Sequence, residues 1–307
     1  MTRTAIRRIL VVVDPTATTH PCIQKAMRIA RATASTVELY VCEAELNLPE
    51  SWAGESRLTE YWQITRQRQL EELNRLAAPL RAAGIEVETV CERHPPLEEG
   101  IGRHIVHSRP DLVVKDAHSH PVQSRNYSGH TDWTLVRQSP APVLLVQSQQ
   151  WREAPPIVLA IDPAHPVGYP GKLDEAIVCM GLAMQGALGA DMQLLHVLGA
   201  PPHLPGEIVT DEVLMQVQDR LRMEVSDLAL RAGMPASMAQ FGSGNPAHGI
   251  VEFVNEQKPS LLVMGSRARF AQAFAAGTAL QVLQQVECDL LVVKPPGFIR
   301  PLLVTEE

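Results

Sequence analysis

Short runs of consecutive apolar residues alternate along this chain with longer stretches whose apolar positions recur every three to four residues. The short runs predict strands over 8–13, 36–42, 85–91, 111–115 and 142–147, and again over 156–161, 191–197, 236–241, 260–264 and 289–293. The longer stretches predict helices over Cys22–Ala34, Leu58–Ala83 and Leu97–His107, then over Leu173–Leu188, Asp211–Ala232, Ala247–Gln257 and Thr278–Val286. Gly84 stands where the second of these should end. Runs such as ILVVV and LLVM lack polar alternation, so their strands should be buried on both faces, as in a parallel sheet covered by helical crossovers.

The pattern occurs twice. RRILVVVDPTATTH at Arg7–His20 is echoed by PPIVLAIDPAHPVG at Pro155–Gly168, RPDLVVKDA by KPSLLVMGS, and APVLLVQS by CDLLVVKP, in the same order and at nearly one spacing. The polar, proline-bearing seam QSQQWREAPP separates the copies, which predicts domains over 1–151 and 152–307. A length of 307 residues suits two cores of roughly 150 residues each.

With 45% hydrophobic and 20% charged residues, the chain has the material for packed cores. Its formal net charge of -7 argues against a broad nucleic-acid or anionic-membrane footprint. The basic start MTRTAIRR is followed by an apolar run, Ile9–Val13, too short for a signal segment or a span, so a cytoplasmic location is expected. The five cysteines, Cys22, Cys42, Cys91, Cys179 and Cys288, form no C-x-x-C pair and read as reduced core thiols.

The segments VLAID, LLHVL, GNPAHGIVEFV, LLVMGSRARF and DLLVVKP in the second half, with RRILVVVDP, DLVVKDAHSH and TDWTLVRQSPAPVLLV in the first, resemble the universal stress protein family, and within it the long tandem members of the E type. The resemblance covers almost the whole chain. It implies an α/β fold of the Rossmann-like, adenine-nucleotide-hydrolase-like kind: two tandem open parallel five-stranded sheets with helices on both faces. It also implies pairing through the last strands as an internal pseudo-dimer, and the apolar runs VLLV and LLVV suit that pairing.

Nucleotide-binding members of that family carry G-x2-G-x9-G-S/T after the fourth strand, where backbone N–H groups and a hydroxyl hold phosphates. Here Gly265 and Ser266 are present, Ala268 replaces the second glycine, and Gly277-Thr278 arrives one residue early. Arg267 and Arg269 offer charge in place of the lost backbone donors. By the same resemblance Asp162 faces the nucleotide or its metal, Ala160, Ile161 and Val197 line the adenine side, and Met264 lies beneath the ligand. Strand core and a plain Asp-Pro turn remain the alternative for these residues, and for Asp14, the counterpart of Asp162, the turn is favoured.

The first half has no glycine loop. Its VVKDAHSHPVQSRNYSGHTDW offers Lys115, His118 and His120, with His130 and Asp132 nearby, and reads as a polar loop without metal-ligand spacing. No G-x-S-x-G, H-E-x-x-H or G-x-x-x-x-G-K-S/T is present, so no catalytic residue is assigned, and GSGNP at Gly242–Pro246 reads as a turn and helix cap. The charges of Leu58–Ala83 read as a solvated helix face, with a partner surface as the alternative.

Three functions follow. The leading one is a non-catalytic stress-response protein acting by ligand or partner binding. The second is a protein that binds ATP or AMP, with a divalent metal, in the second domain only, with slow ATP hydrolysis as its variant. The third is a carrier of an apolar or amphipathic small ligand. The expected partners are a small molecule, unnamed proteins and a second copy of the chain, without nucleic acid or a membrane span.

Overall fold

The computed structural model describes residues 4–43, 55–94, 96–117, 128–147, 149–163, 170–199, 211–266 and 278–298. The chain separates into two compact units: one of Ala5–Gln150, the other of Trp151–Glu307 joined by Met1–Thr4. Thr4 donates its amide to the carbonyl of Cys179, which ties the start of the chain to the second unit.

In the first unit β1 (Arg8–Val12), β2 (Thr36–Glu43), β3 (Val87–Arg93), β4 (Leu112–Asp116) and β5 (Val143–Val146) form a parallel sheet in the order β3-β2-β1-β4-β5. Its crossovers are α1 (Pro21–Thr33), α2 (Glu55–Ala82), α3 (Leu97–Ser108) and α4 (Ser128–Gln138). In the second unit β6 (Ile157–Ala160), β7 (Met192–Leu198), β8 (Ala239–Ser243), β9 (Leu261–Gly265) and β10 (Asp289–Val293) repeat the arrangement as β8-β7-β6-β9-β10. Here the crossovers are α5 (Pro170–Leu188), α6 (Asp211–Arg231), α7 (Pro246–Gln257) and α8 (Thr278–Leu283).

The uninterrupted apolar runs form strands of both sheets, and all residues of β5, β6 and β10 are buried. A strand covered on both faces by helices has no solvent side on which a polar residue would be favoured. Gly84 and Gly233, at φ +80° and +78°, close the turns after α2 and α6. Asn245 caps α7 by accepting from the amides of Ala247 and His248, so GSGNP is a turn and cap.

Two differences from the sequence-based expectation have local causes. The segment read as polar loop in the first half contains the start of α4, a helix whose apolar positions Leu135 and Val136 are buried. The strand expected at 236–241 begins at Ala239, because Ala236–Met238 form a 3-10 turn behind Pro235.

Close helix–strand contact is built at the same position in both units. A Cβ on Gly100 of α3 would lie 2.6 Å from the Cβ of His94 and 2.7 Å from Sγ of Cys42. One on Gly249 of α7 would lie 2.7 Å from Cγ1 of Val197. Each helix therefore approaches its sheet more closely than any larger residue would permit.

Candidate functional site

In an open parallel α/β sheet, ligands bind beyond the carboxyl ends of the strands, where the order reverses. In the second unit that place lies at the ends of β6 and β9, which are neighbours in the sheet. Ala160 pairs in register with Met264 on one side and Leu195 on the other. Because side chains alternate along a strand, Val197 shares the face of Leu195, and Ser266 that of Met264. Ala160, Val197 and Met264 are buried and form an apolar floor.

Ile161 continues from β6, donating its amide to the carbonyl of Leu195, while its own carbonyl accepts from Nδ1 of His196 at 3.1 Å. A carbonyl can only accept, so Nδ1 carries a proton, and Nε2 is buried with no partner among the described residues. Asp162 is half-buried and donates its amide to Oδ1 of Asp174 at 3.0 Å. Burial pushes the Asp174 carboxyl up to about 6; the Asp162 amide pulls the other way and the Asp162 charge adds to the rise.

At the end of β9, a Cβ on Gly265 would meet the Leu173 side chain of α5 at 2.6 to 3.0 Å. Ser266 donates its amide to Val293, and its hydroxyl accepts from Nζ of Lys294 at 3.0 Å, both side chains being buried. Thr278 opens α8 and is half-buried. Arg267, Arg269 and Gly277, together with Ala268, lie outside the described residues, as do His118 and His120. The structure thus brings Ala160, Ile161, Asp162, Val197, Met264, Gly265 and Ser266 to one end of the sheet.

Asp174 and Lys294 belong to this arrangement and were not picked out from the sequence. Their signals were a carboxylate in the first turns of α5, and a lysine closing the otherwise apolar run LLVVK.

The first unit closes the same place with its own side chains. Asp116 stands where Gly265 stands in the repeat, and its Oδ1 accepts from the amide of Cys22, the second residue of α1, at 2.7 Å. The N-cap residue His20 makes no side-chain capping bond, so Asp116 supplies the anion that this helix start favours. Burial raises the Asp116 carboxyl above its ordinary value in spite of those bonds. Lys115 lies inside β4, within the strand expected over 111–115, and pairs with Asp132 of α4 at 2.7 Å, both side chains about one-twentieth exposed. Asp14 accepts from the amide and hydroxyl of Thr16, closing a local turn. The described residues hold no group of three or more histidine, cysteine or acidic side chains fit for a metal ion. All five cysteines are free, four of them buried.

The sequence model of the universal stress protein family matches residues 5–147 and again residues 156–294. The chain belongs to the universal stress protein family. Stress response fits that membership, and the chain carries two tandem domains of the family. Among its relatives is universal stress protein E of Escherichia coli (strain K12), 25% identical over 312 residues that cover 98% of each chain. The universal stress protein E homolog of Haemophilus influenzae is 22% identical over 309 residues, covering 94% of this chain and 97% of that one. Solved structures repeat the fold. A protein from Pseudomonas aeruginosa PAO1 superposes with a TM-score of 0.74 at 23% identity, covering 95% of this chain and 93% of its own. A universal stress protein from Archaeoglobus fulgidus does so with a TM-score of 0.64 at 14% identity, covering 94% and 96%.

Proposed function

We propose that this universal stress protein works in the stress response by binding rather than by turnover, and that its small-molecule site is the carboxyl end of the sheet in the second domain alone. The observation that carries this reading is the contrast between the two copies. In the first, the Asp116 carboxylate occupies the start of α1. In the second, the matching residue is Gly265, beside Ser266 and the buried ammonium of Lys294. An anionic group is repelled at the first place and attracted at the second. No catalytic motif accompanies either.

A second reading, that the ligand is ATP or AMP, is supported by the apolar floor of Ala160, Val197 and Met264, which fits a base. Asp162 and Asp174 are oxygen donors of the type a divalent metal prefers, and they would hold one that came with the phosphates. The phosphate end of the site would rest on Arg267 and Arg269, because Ala268 displaces the glycine whose amide would otherwise approach. Family membership supports placing the protein in the cytoplasm; among the described residues no helix is long and apolar enough to cross a membrane.

Calorimetry with ATP at low and high salt, on wild type, Asp162→Ala and Arg267→Ala, tests the reading. Weak binding that fades with salt and is lost in both variants is expected, since contacts at an exposed rim are screened. Tight, salt-insensitive binding unaffected by either substitution overturns the nucleotide assignment. ATP turnover abolished by Asp162→Ala overturns the non-catalytic one. Native mass spectrometry of the purified chain separates a nucleotide from a lipid-like ligand.

A further inference from the structure

The first domain holds a charged cluster that the ligand site does not use, with Glu38 and His104 buried and Arg8 and Glu92 reaching the surface. Glu38 of β2 is 2% exposed and His104 of α3 is 7% exposed. Nε2 of His104 bonds Oε1 of Glu38, and its Nδ1 lies 3.3 Å from Oε2 of Glu92 on β3. The imidazole stacks on Tyr40 with ring centres 4.0 Å apart and planes 18° from parallel. The Tyr40 hydroxyl donates to Oε2 of Glu92 at 3.1 Å, and Arg8 of β1 donates to Oε2 of Glu38 at 2.9 Å.

The second domain builds the same fold without this cluster. Strand register and the shared glycine of α3 and α7 place Gln193 at the position of Glu38, Leu195 at Tyr40, Gly242 at Glu92 and Phe253 at His104. The fold therefore does not require the charges.

A neutral imidazole has one N–H and satisfies one carboxylate, whereas an imidazolium has two and satisfies both. We propose that Glu38, His104 and Glu92 form a proton-operated latch that holds α3 on β2 and β3, closed while both ring nitrogens of His104 carry protons and loosened when one proton leaves. Loss of the Nδ1 proton releases Glu92, whose side chain is 47% exposed, and loss of the Nε2 proton leaves the buried Glu38 with Arg8 alone, which burial makes the costlier of the two.

The direction of the titration agrees. Burial disfavours the charged ring, but the hydrogen bond and charge of Glu38, reinforced by Glu92, outweigh it, so His104 titrates above its ordinary value. Burial likewise works against the Glu38 carboxylate, and His104 and Arg8 outweigh it, so Glu38 titrates below its ordinary value. The His104 contribution is fully present below its unfolded value of about 6.5 and is lost as pH rises through the higher folded value. The Glu38 contribution is present above its unfolded value and lost as pH falls through the lower folded one. The latch is therefore fully closed between the ordinary values of Glu38 and His104, 4.5 and 6.5, and loosens as pH rises through the higher folded value of His104.

The other ionisable groups around α3 do not reverse this sense. Glu88 of β3 lies 3.5 Å from Arg8, and Tyr40 is held protonated well above its usual range, chiefly by burial. Cys42 of β2 is raised by burial, and His94 lies against Gly100 at the other end of α3. On α4, Asp132 is committed to Lys115, and Arg137 lies in the last turn. On α3 itself Arg103 and His107 are exposed, and Glu98 and Glu99 lie in its first turn.

Hydrogen exchange of the full chain between pH 6 and 9, corrected for the intrinsic pH dependence of exchange, tests the latch. Protection of the 97–108 segment should fall as pH rises from about 6.5 to the folded pKa, by up to about tenfold per unit, and then level off, while the matching 246–257 segment stays level throughout. His104→Gln should abolish the slope. Level protection in α3, a parallel fall in α7, or a slope that survives His104→Gln overturns the proposal. Should that variant not fold, the His104 imidazole of the wild-type chain, assigned through its contact with Tyr40, is followed by NMR. A midpoint above about 6.5 supports the latch, and one at or below it overturns the latch.

Discussion

Removing Asp132 tests how the first domain tolerates a lysine inside a strand. Lys115 and Asp132 are 5% and 6% exposed and 2.7 Å apart, so Asp132→Ala leaves an ammonium in a place that water barely reaches. Breaking a buried pair from one side costs about 3–5 kcal/mol. The same fold shows an alternative, since in the second domain Met264 stands at the position of Lys115 and Ala279 at that of Asp132, both buried. Transplanting that apolar solution, Lys115→Met with Asp132→Ala, should recover the loss, because well-packed hydrophobic replacements of ion pairs are often neutral or better. With a urea dependence of about 2–3 kcal/mol per molar, the single substitution should lower the midpoint of the first domain by about 1–2 M. Urea titration read by hydrogen exchange in β4 and α4 isolates this domain from its repeat. A single variant within about 1 kcal/mol of wild type, or a double variant as weak as the single, would refute the argument.

Two further outcomes are expected in the second domain. Asp174 titrates near 6 when folded, against 3.8 ordinarily; a raised acid stabilises the fold only while protonated, and that contribution is lost as pH rises through about 6. Asp174→Asn keeps an acceptor for the Asp162 amide, and should raise stability at pH 7 by on the order of 2–3 kcal/mol while changing little near pH 4, as read from urea midpoints across pH. Gly249→Ala forces a Cβ to 2.7 Å from the Val197 side chain, and should cost about 1–3 kcal/mol, outweighing the roughly 1 kcal/mol gain in helix propensity. Thermal unfolding should show the loss, and adding Val197→Ala should restore part of it.

Sequence pattern was sufficient wherever one physical requirement acted alone. The strands of both sheets are visible as uninterrupted apolar runs because helices cover both faces, and Asn245 is visible as a cap because a side-chain oxygen before Pro246 has few other uses. The requirement was hidden wherever partners lie far apart in the chain. Asp116 caps α1 across 94 residues, and Glu38 meets His104 across 66; neither separation leaves a spacing to read. Glu38 did leave a trace, as a carboxylate inside the buried run TVELYV that required a partner. α4 was obscured because its buried side, with Leu135 and Val136, is short and its interior holds the charge that neutralises Lys115.

The glycines at Gly100 and Gly249 bear on how two copies of one fold can drift apart. Redundancy ordinarily lets one copy accept changes that the other covers. A helix pressed against its own strand cannot borrow space from a second domain, so this constraint is imposed separately in each copy and duplication does not relax it. The residues around these glycines have diverged widely, with a histidine in one α3–α7 counterpart and a phenylalanine in the other. What the two domains still share at this point is the room left by a missing methyl group.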